Sequence, residues 1–164
     1  MRLGTCLLPE GLTLQGAHHK LAGFCSALVT GYYAAVDSTS LFLDAHQGSN
    51  DDALVTRAFQ GNATPRWAIA PVSGTHRYVV SQQSNGRFVD AHEAINDNQV
   101  VTRTSQGNAT QVWIITPLGG KEYTIQQLSN GRFLDAYQNE NDNRVVTVVS
   151  RKWWKFSGGV LRAF

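Results

Sequence analysis

The sequence predicts an all-β fold, a closed barrel of hairpins with three-fold pseudosymmetry, and three observations carry the prediction. First, one unit is written three times: SLFLDAHQGSNDDALVTRAFQGNATPRWAI from Ser40, SNGRFVDAHEAINDNQVVTRTSQGNATQVWII from Ser84, and SNGRFLDAYQNENDNRVVT from Ser129. Asp44, Asp90 and Asp135 mark the copies at spacings of 46 and 45 residues, and self-similarity at such a period means one supersecondary unit used repeatedly. Second, each copy holds about four short alternating or β-branched runs and no convincing helix. Third, the connections carry turn chemistry, and three copies are too few for a propeller, whereas a closed barrel fits the count and removes exposed sheet edges.

Taken in order, residues 1–30 do not match the unit and are expected to form an N-terminal extension, with the domain over 31–164. Within the extension, GLTLQG at 11–16 alternates like a short strand. Tyr32, Tyr78 and Tyr123 each stand 10 residues before Phe42, Phe88 and Phe133, so the copies start in register. In the central copy the four strands are expected at Tyr78–Gln82, Arg87–Ala91, Gln99–Thr104 and Gln111–Thr116. Asn85-Gly86 is a strong hairpin signal because both residues tolerate positive φ. Phe42, Phe88 and Phe133, then Val55, Val101 and Val146, then Trp67 and Trp113, recur at equivalent places and are the expected core layers. The third copy is degenerate: a Trp expected near position 158 is missing. Trp153 or Trp154 takes its place if the preceding loop is about four residues shorter.

Size and composition fit one domain: 164 residues, 42% hydrophobic and 16% charged. Fourteen Lys and Arg against 12 Asp and Glu give a net charge of +2, too balanced to indicate a nucleic acid partner or an anionic membrane. No apolar run approaches the roughly 18 to 20 residues of a membrane-spanning helix, so no membrane insertion is expected. The first residues form a patch cut by Gly4 and Pro9, a poor secretory signal. The chain therefore reads as soluble, and its compartment stays open. Cys6 and Cys25 precede the repeats and read as free thiols rather than as a disulfide framework.

LFLDA, FVDA and FLDA, followed in the first two copies by a Gln-rich loop and a Trp, resemble the ricin-B-type β-trefoil lectins. Gln111-Val112-Trp113 is similar to that family's Gln-x-Trp signature, whereas the first copy reads Pro65-Arg66-Trp67. The resemblance covers about residues 32 to 157. It implies a β-trefoil that binds glycans or glycoconjugates without catalysis, in shallow pockets on one or more lobes and with no cofactor. A pyranose presents vicinal hydroxyls and one apolar face, which a carboxylate and a planar side chain recognise together. Asp44, Asp90 and Asp135 match the family's sugar-binding Asp. Arg57, Arg103 and Val148 stand where the family has an aromatic, and Thr64 and Thr110 where it has an Asn. His46, His92 and Tyr137, two residues after each Asp, are planar substitutes. The second lobe ranks first, with Asp90, His92, Asn98, Arg103 and Gln111. The first follows, with Asp44, His46 and Arg57, and the third, with Asp135 and Tyr137, ranks last.

Plainer roles stand beside these. Asp44 and Asp90 as partners of Arg57 and Arg103 are as good an account as sugar binding. The Asn-Asp tips are turns rather than calcium loops, since no Glu closes them. The Asn62-Ala63-Thr64 and Asn108-Ala109-Thr110 acceptor sequences for N-glycosylation are read as turns too. No metal site is expected, and His18-His19 is an isolated pair. No catalytic motif is present, and aspartates spaced by whole repeats fall in separate lobes, so no enzyme is expected. Two further readings remain: a trefoil that binds protein, with decayed sugar pockets, and a targeting module detached from a toxin or glycosidase.

Overall fold

The computed structural model describes residues 29–36, 41–45, 48–92, 94–119, 122–136, 140–150, 154–157 and 160–163. The extension up to residue 28, both cysteines, Trp153, His46 and Tyr137 lie outside the described residues. The first lobe contains β1 (Val29–Val36), β2 (Leu41–Asp44), β3 (Asp52–Ala53), β4 (Val55–Ala58) and β5 (Arg66–Pro71). The second contains β6 (Arg77–Gln82), β7 (Phe88–Asp90), β8 (Asn98–Gln99), β9 (Val101–Arg103) and β10 (Val112–Gly119). One 3-10 turn, Ala109–Gln111, precedes β10. The third contains β11 (Glu122–Gln127), β12 (Phe133–Ala136), β13 (Asn143–Val148) and β14 (Trp154–Ser157), and β15 (Val160–Ala163) follows it.

The barrel runs β1-β5-β6-β10-β11-β14-β15 and closes by a parallel pairing of β15 with β1. Every other junction of this ring is antiparallel. Strict three-fold repetition calls for six strands, so β15 is an addition, wedged at the junction of the third and first lobes. Trp154 fills the third Trp place, as the shortened-loop reading anticipates.

The other end of the barrel is capped by three hairpins, β2–β4, β7–β9 and β12–β13. They interlock cyclically, with Asp52 opposite Thr102, Asn98 opposite Thr147 and Asn143 opposite Thr56. At the centre Leu54 N donates to Val100 O, Val100 N to Val145 O and Val145 N to Leu54 O, at 2.8, 2.9 and 2.9 Å. This closed ring explains why the third strand of the central copy breaks at Val100: its N–H points to the axis and not to the ladder. The Gln99 side-chain amide plugs the axis, with Nε2 2.9–3.0 Å from the carbonyls of Leu54, Val100 and Val145. The hairpin tips turn on Asp51, Asp97 and Asp142 at φ 62, 59 and 60, a left-handed conformation that Asp tolerates better than most residues. Asn85-Gly86 and Asn130-Gly131 turn as expected, each glycine at φ 72.

The core corrects one expectation. Phe42, Phe88 and Phe133 are only half-buried, and the inward positions are Leu43, Val89 and Leu134. Strand side chains alternate, and LFLD offers apolar residues on both faces, so either parity suits the pattern. Likewise Leu54, Val100 and Val145 join the core cluster, one residue before the buried Val55, Val101 and Val146. Trp67, Trp113 and Trp154 lie in it, each at most 1% exposed. Their indole N–H groups donate to the carbonyls of Leu43, Val89 and Leu134 at 3.0, 3.0 and 2.9 Å, pinning each hairpin to the barrel.

Tyr123 borders this core, and burial raises its phenol above the ordinary 10.0. The folded state keeps a proton that the unfolded chain releases. This stabilisation is fully present below the unfolded value and declines as pH rises from there through the raised folded value. Urea unfolding at about pH 9 and about pH 11 should show Tyr123→Phe losing less stability with pH than the parent. Equal losses would remove Tyr123 from the account.

Candidate functional site

The outer flank of each hairpin carries the marker Asp. On β7, Val89 points inward and Phe88 and Asp90 point to the opposite face, as strand alternation requires. Asp90 is 0% exposed, and neither of its carboxylate oxygens receives a hydrogen bond among the described residues. Arg103, on the facing strand β9, lies over it, with Nη1 4.0 Å from Asp90 Oδ2. The same guanidinium makes a close ion pair with Asp51 at the tip of the first lobe's hairpin. The first lobe repeats this arrangement. Asp44 is 1% exposed, Arg57 Nη1 lies 4.0 Å from its Oδ2, and Arg57 pairs closely with Asp142 of the third lobe. Each arginine thus spans a carboxylate of its own lobe and one of another. In the third lobe Val148 stands opposite Phe133 where the others have Arg.

Buried carboxylates without donors are costly, since their lost hydration is only partly replaced by a charge 4 Å away. That cost marks Asp44 and Asp90 as sites prepared for donors. The other expected residues divide. Gln111 is buried and shapes the loop, accepting from Gln106 N at 2.8 Å and donating to Thr104 O at 3.0 Å. His92 is exposed just beyond Asp90. Asn98 is buried in the cap opposite Thr147. In the two Asn-Ala-Thr loops the Thr hydroxyls donate to Asn62 Oδ1 at 2.9 Å and to Asn108 Oδ1 at 2.7 Å, closing local turns.

Asn50 and Asn96 cap the hairpin tips. Arg87, from the second lobe, binds Asn50 and the Gly48 carbonyl of the first. Arg132, from the third, binds Asn96 Oδ1 at 3.4 Å and Ala94 O at 2.8 Å in the second. These arginines tie neighbouring lobes together. Among the described residues there is no cluster of three His, Cys, Asp or Glu able to hold a metal ion, and no helix long and apolar enough to cross a membrane.

Sequence reasoning misses a groove of about 340 Å³ on the second lobe, floored by Phe88, Val79, Val112 and Leu128 and edged by Arg77 and Ser105. A comparison of copies contains its signal. In the first lobe Phe59 stacks at 54° on Phe42, ring centres 5.3 Å apart, whereas the second lobe has Ser105 in the place of Phe59.

Residues 74–149 match the family model described as ricin-type beta-trefoil lectin domain-like. The fold is a β-trefoil. A designed three-fold symmetric protein, ThreeFoil, matches with a TM-score of 0.66 at 17% identity, covering 82% of this chain and 96% of that one. The agglutinin of Rhizoctonia solani matches at 0.66 and 18% identity, covering 82% of this chain and 98% of that one. The exo-β-1,3-galactanase 1,3Gal43A of Clostridium thermocellum matches at 0.73 and 20%, covering 78% of this chain but only 30% of the enzyme. The trefoil thus occurs both as nearly a whole protein and as part of a longer one. No curated protein matches the chain in sequence.

Proposed function

We propose that the protein is a non-catalytic glycan-binding module whose second lobe holds the main site. The observation that carries this reading is Asp90, a fully buried carboxylate without hydrogen bonds and covered by one mobile type of side chain. Arg103 is already engaged by Asp51 on its outer side, so a modest rotation toward that partner uncovers Asp90. Vicinal hydroxyls of a sugar then supply the donors that the carboxylate lacks, in charge-assisted hydrogen bonds. Gln111 holds the loop wall, and the exposed His92 follows Asp90 by two residues. The first lobe offers a second copy through Asp44, His46 and Arg57, and the third, with Asp135 and Tyr137, a reduced one. Weak sites spread over lobes gain by multivalency.

A glycan array with Asp90→Asn as control tests the reading. Loss of a charge-assisted contact is worth about 1.5–3 kcal/mol, so the variant should be retained about 10-fold to 100-fold less. Its thermal stability should stay level or rise, because a buried charge without hydrogen bonds has gone. A parent that retains no glycan, or a variant that retains it equally, defeats the proposal. Full burial of Asp44 and Asp90 behind arginines favours a second reading: a protein-docking trefoil, or the targeting module of a toxin or glycosidase, with its sugar sites closed. Partner capture that competing sugar leaves unchanged would support that alternative.

A further inference from the structure

The groove beside Phe88 has chemistry of its own. Its floor is a ring edge-bounded by aliphatic side chains, Val79, Val112 and Leu128, and its open side exists because Ser105 replaces the aromatic that covers the first lobe. The stem of Arg77 lies directly over Gly74. A Cβ built there would meet Arg77 Cδ at 2.5 Å, and φ of +111 suits glycine. The absence of a side chain at Gly74 lets the Arg77 stem lie across it, at the rim of the groove. Arg77 is exposed and makes no ion pair or side-chain hydrogen bond among the described residues, unlike Arg57 and Arg103, which are committed to aspartates. Its counterpart in the third lobe is Glu122, so the cation belongs to the second lobe alone. Ser73 and Ser105 add hydroxyls along the same rim.

We propose that this groove is a subsite for an acidic sugar residue, its carboxylate paired with Arg77 and its apolar ring face laid on Phe88. The assignment deepens the glycan-binding reading and rests on Arg77 and Phe88, which the Asp90 site does not use; Gln111 borders both. An exposed cation with no ion-pair partner among the described residues selects an anion. An aromatic and aliphatic floor takes the C–H face of a pyranose, and rim hydroxyls meet its remaining hydroxyls. The volume accommodates one ring with its carboxylate. A plain inorganic anion would leave the apolar floor uncovered, and a neutral sugar would leave Arg77 without a partner.

An NMR titration of isotope-labelled protein with glucuronate, glucose and acetate tests this. Glucuronate should shift amides at Val79, Ser105 and Asn108 and bind about fivefold tighter than glucose, the scale of one solvent-exposed ion pair. Arg77→Gln should bring glucuronate down to the glucose level. Ser105→Phe, which installs the residue of the first lobe, should abolish the shifts at Val79 and Asn108 with both sugars. The proposal is overturned if glucuronate shifts the groove amides no more tightly than glucose, if acetate does so as tightly as glucuronate, or if the groove amides do not shift. The two readings fail separately. Loss of Asp90-dependent retention on the array leaves the Arg77 titration standing, and an inert groove leaves the array result untouched.

Discussion

Replacing Trp113 by Ala lowers the unfolding free energy by about 4 kcal/mol, within the 3–5 kcal/mol typical of buried aromatic truncation, and the melting temperature by about 10 °C. Two terms set this size. Trp113 is 0% exposed in the single core cluster, so its removal leaves a cavity that strands fixed by their ladders fill only in part. It also leaves the Val89 carbonyl without the indole donor that now reaches it at 3.0 Å. Trp67→Ala and Trp154→Ala should behave alike, because the indoles make equivalent bonds to Leu43 and Leu134. Phe59→Ala is the contrast. That ring is 53% exposed, and its loss should cost less than about 1 kcal/mol. If Trp113→Ala melts within experimental error of the parent, the hairpins are not pinned through these indoles.

The same residues show how far the sequence reaches. The three-fold frame was legible because the period, the turn pairs and the Trp places repeat, and repetition survives the loss of any one mark. Trp154 was recoverable despite its displaced position for that reason. Parity was not legible. LFLD reads equally well with Phe or Leu inward, and only the barrel decides, turning Leu43, Val89 and Leu134 to the core and leaving Phe88 to floor a groove. The partners of Arg57 and Arg103 were half legible. Their proximity to Asp44 and Asp90 follows from hairpin pairing, but the ion pair from Arg57 to Asp142 joins residues 85 apart in sequence and depends on how lobes interlock. β15 is not legible in the repeat, because it falls outside the four-strand unit and its pairing with β1 joins residues as far apart in sequence as Tyr33 and Val160. The groove was hidden for a different reason. Repeat analysis seeks what recurs, and the groove arises where Ser105 departs from Phe59.

Two buried glutamines, absent from any motif reading, explain how the lobes are joined. Gln82 donates to the carbonyls of Ala45 and Thr64, linking the first strand of the second lobe to the hairpin and loop of the first. Gln127 does the same one lobe later, donating to Ala91 O at 2.5 Å and Thr110 O at 2.7 Å and accepting from Asn130 Nδ2 at 2.6 Å. The equivalent position in the first lobe of the sequence is a valine, Val36, and the third-to-first junction is the one into which β15 inserts. The third-to-first junction is therefore closed by an added strand, the other two by side-chain amides. Gln127→Leu keeps most of the volume and strands two buried carbonyls, so it should cost about 3 kcal/mol at 1–3 kcal/mol for each unpaired group. Hydrogen exchange should speed up first in the loop at 104–110, whose Thr110 carbonyl Gln127 holds. Gln126→Leu, on the other face of β11, loses only an exposed bond to Gly131 and should cost less than about 1 kcal/mol. Equal costs for the two substitutions would mean that the lobes are held by barrel packing alone.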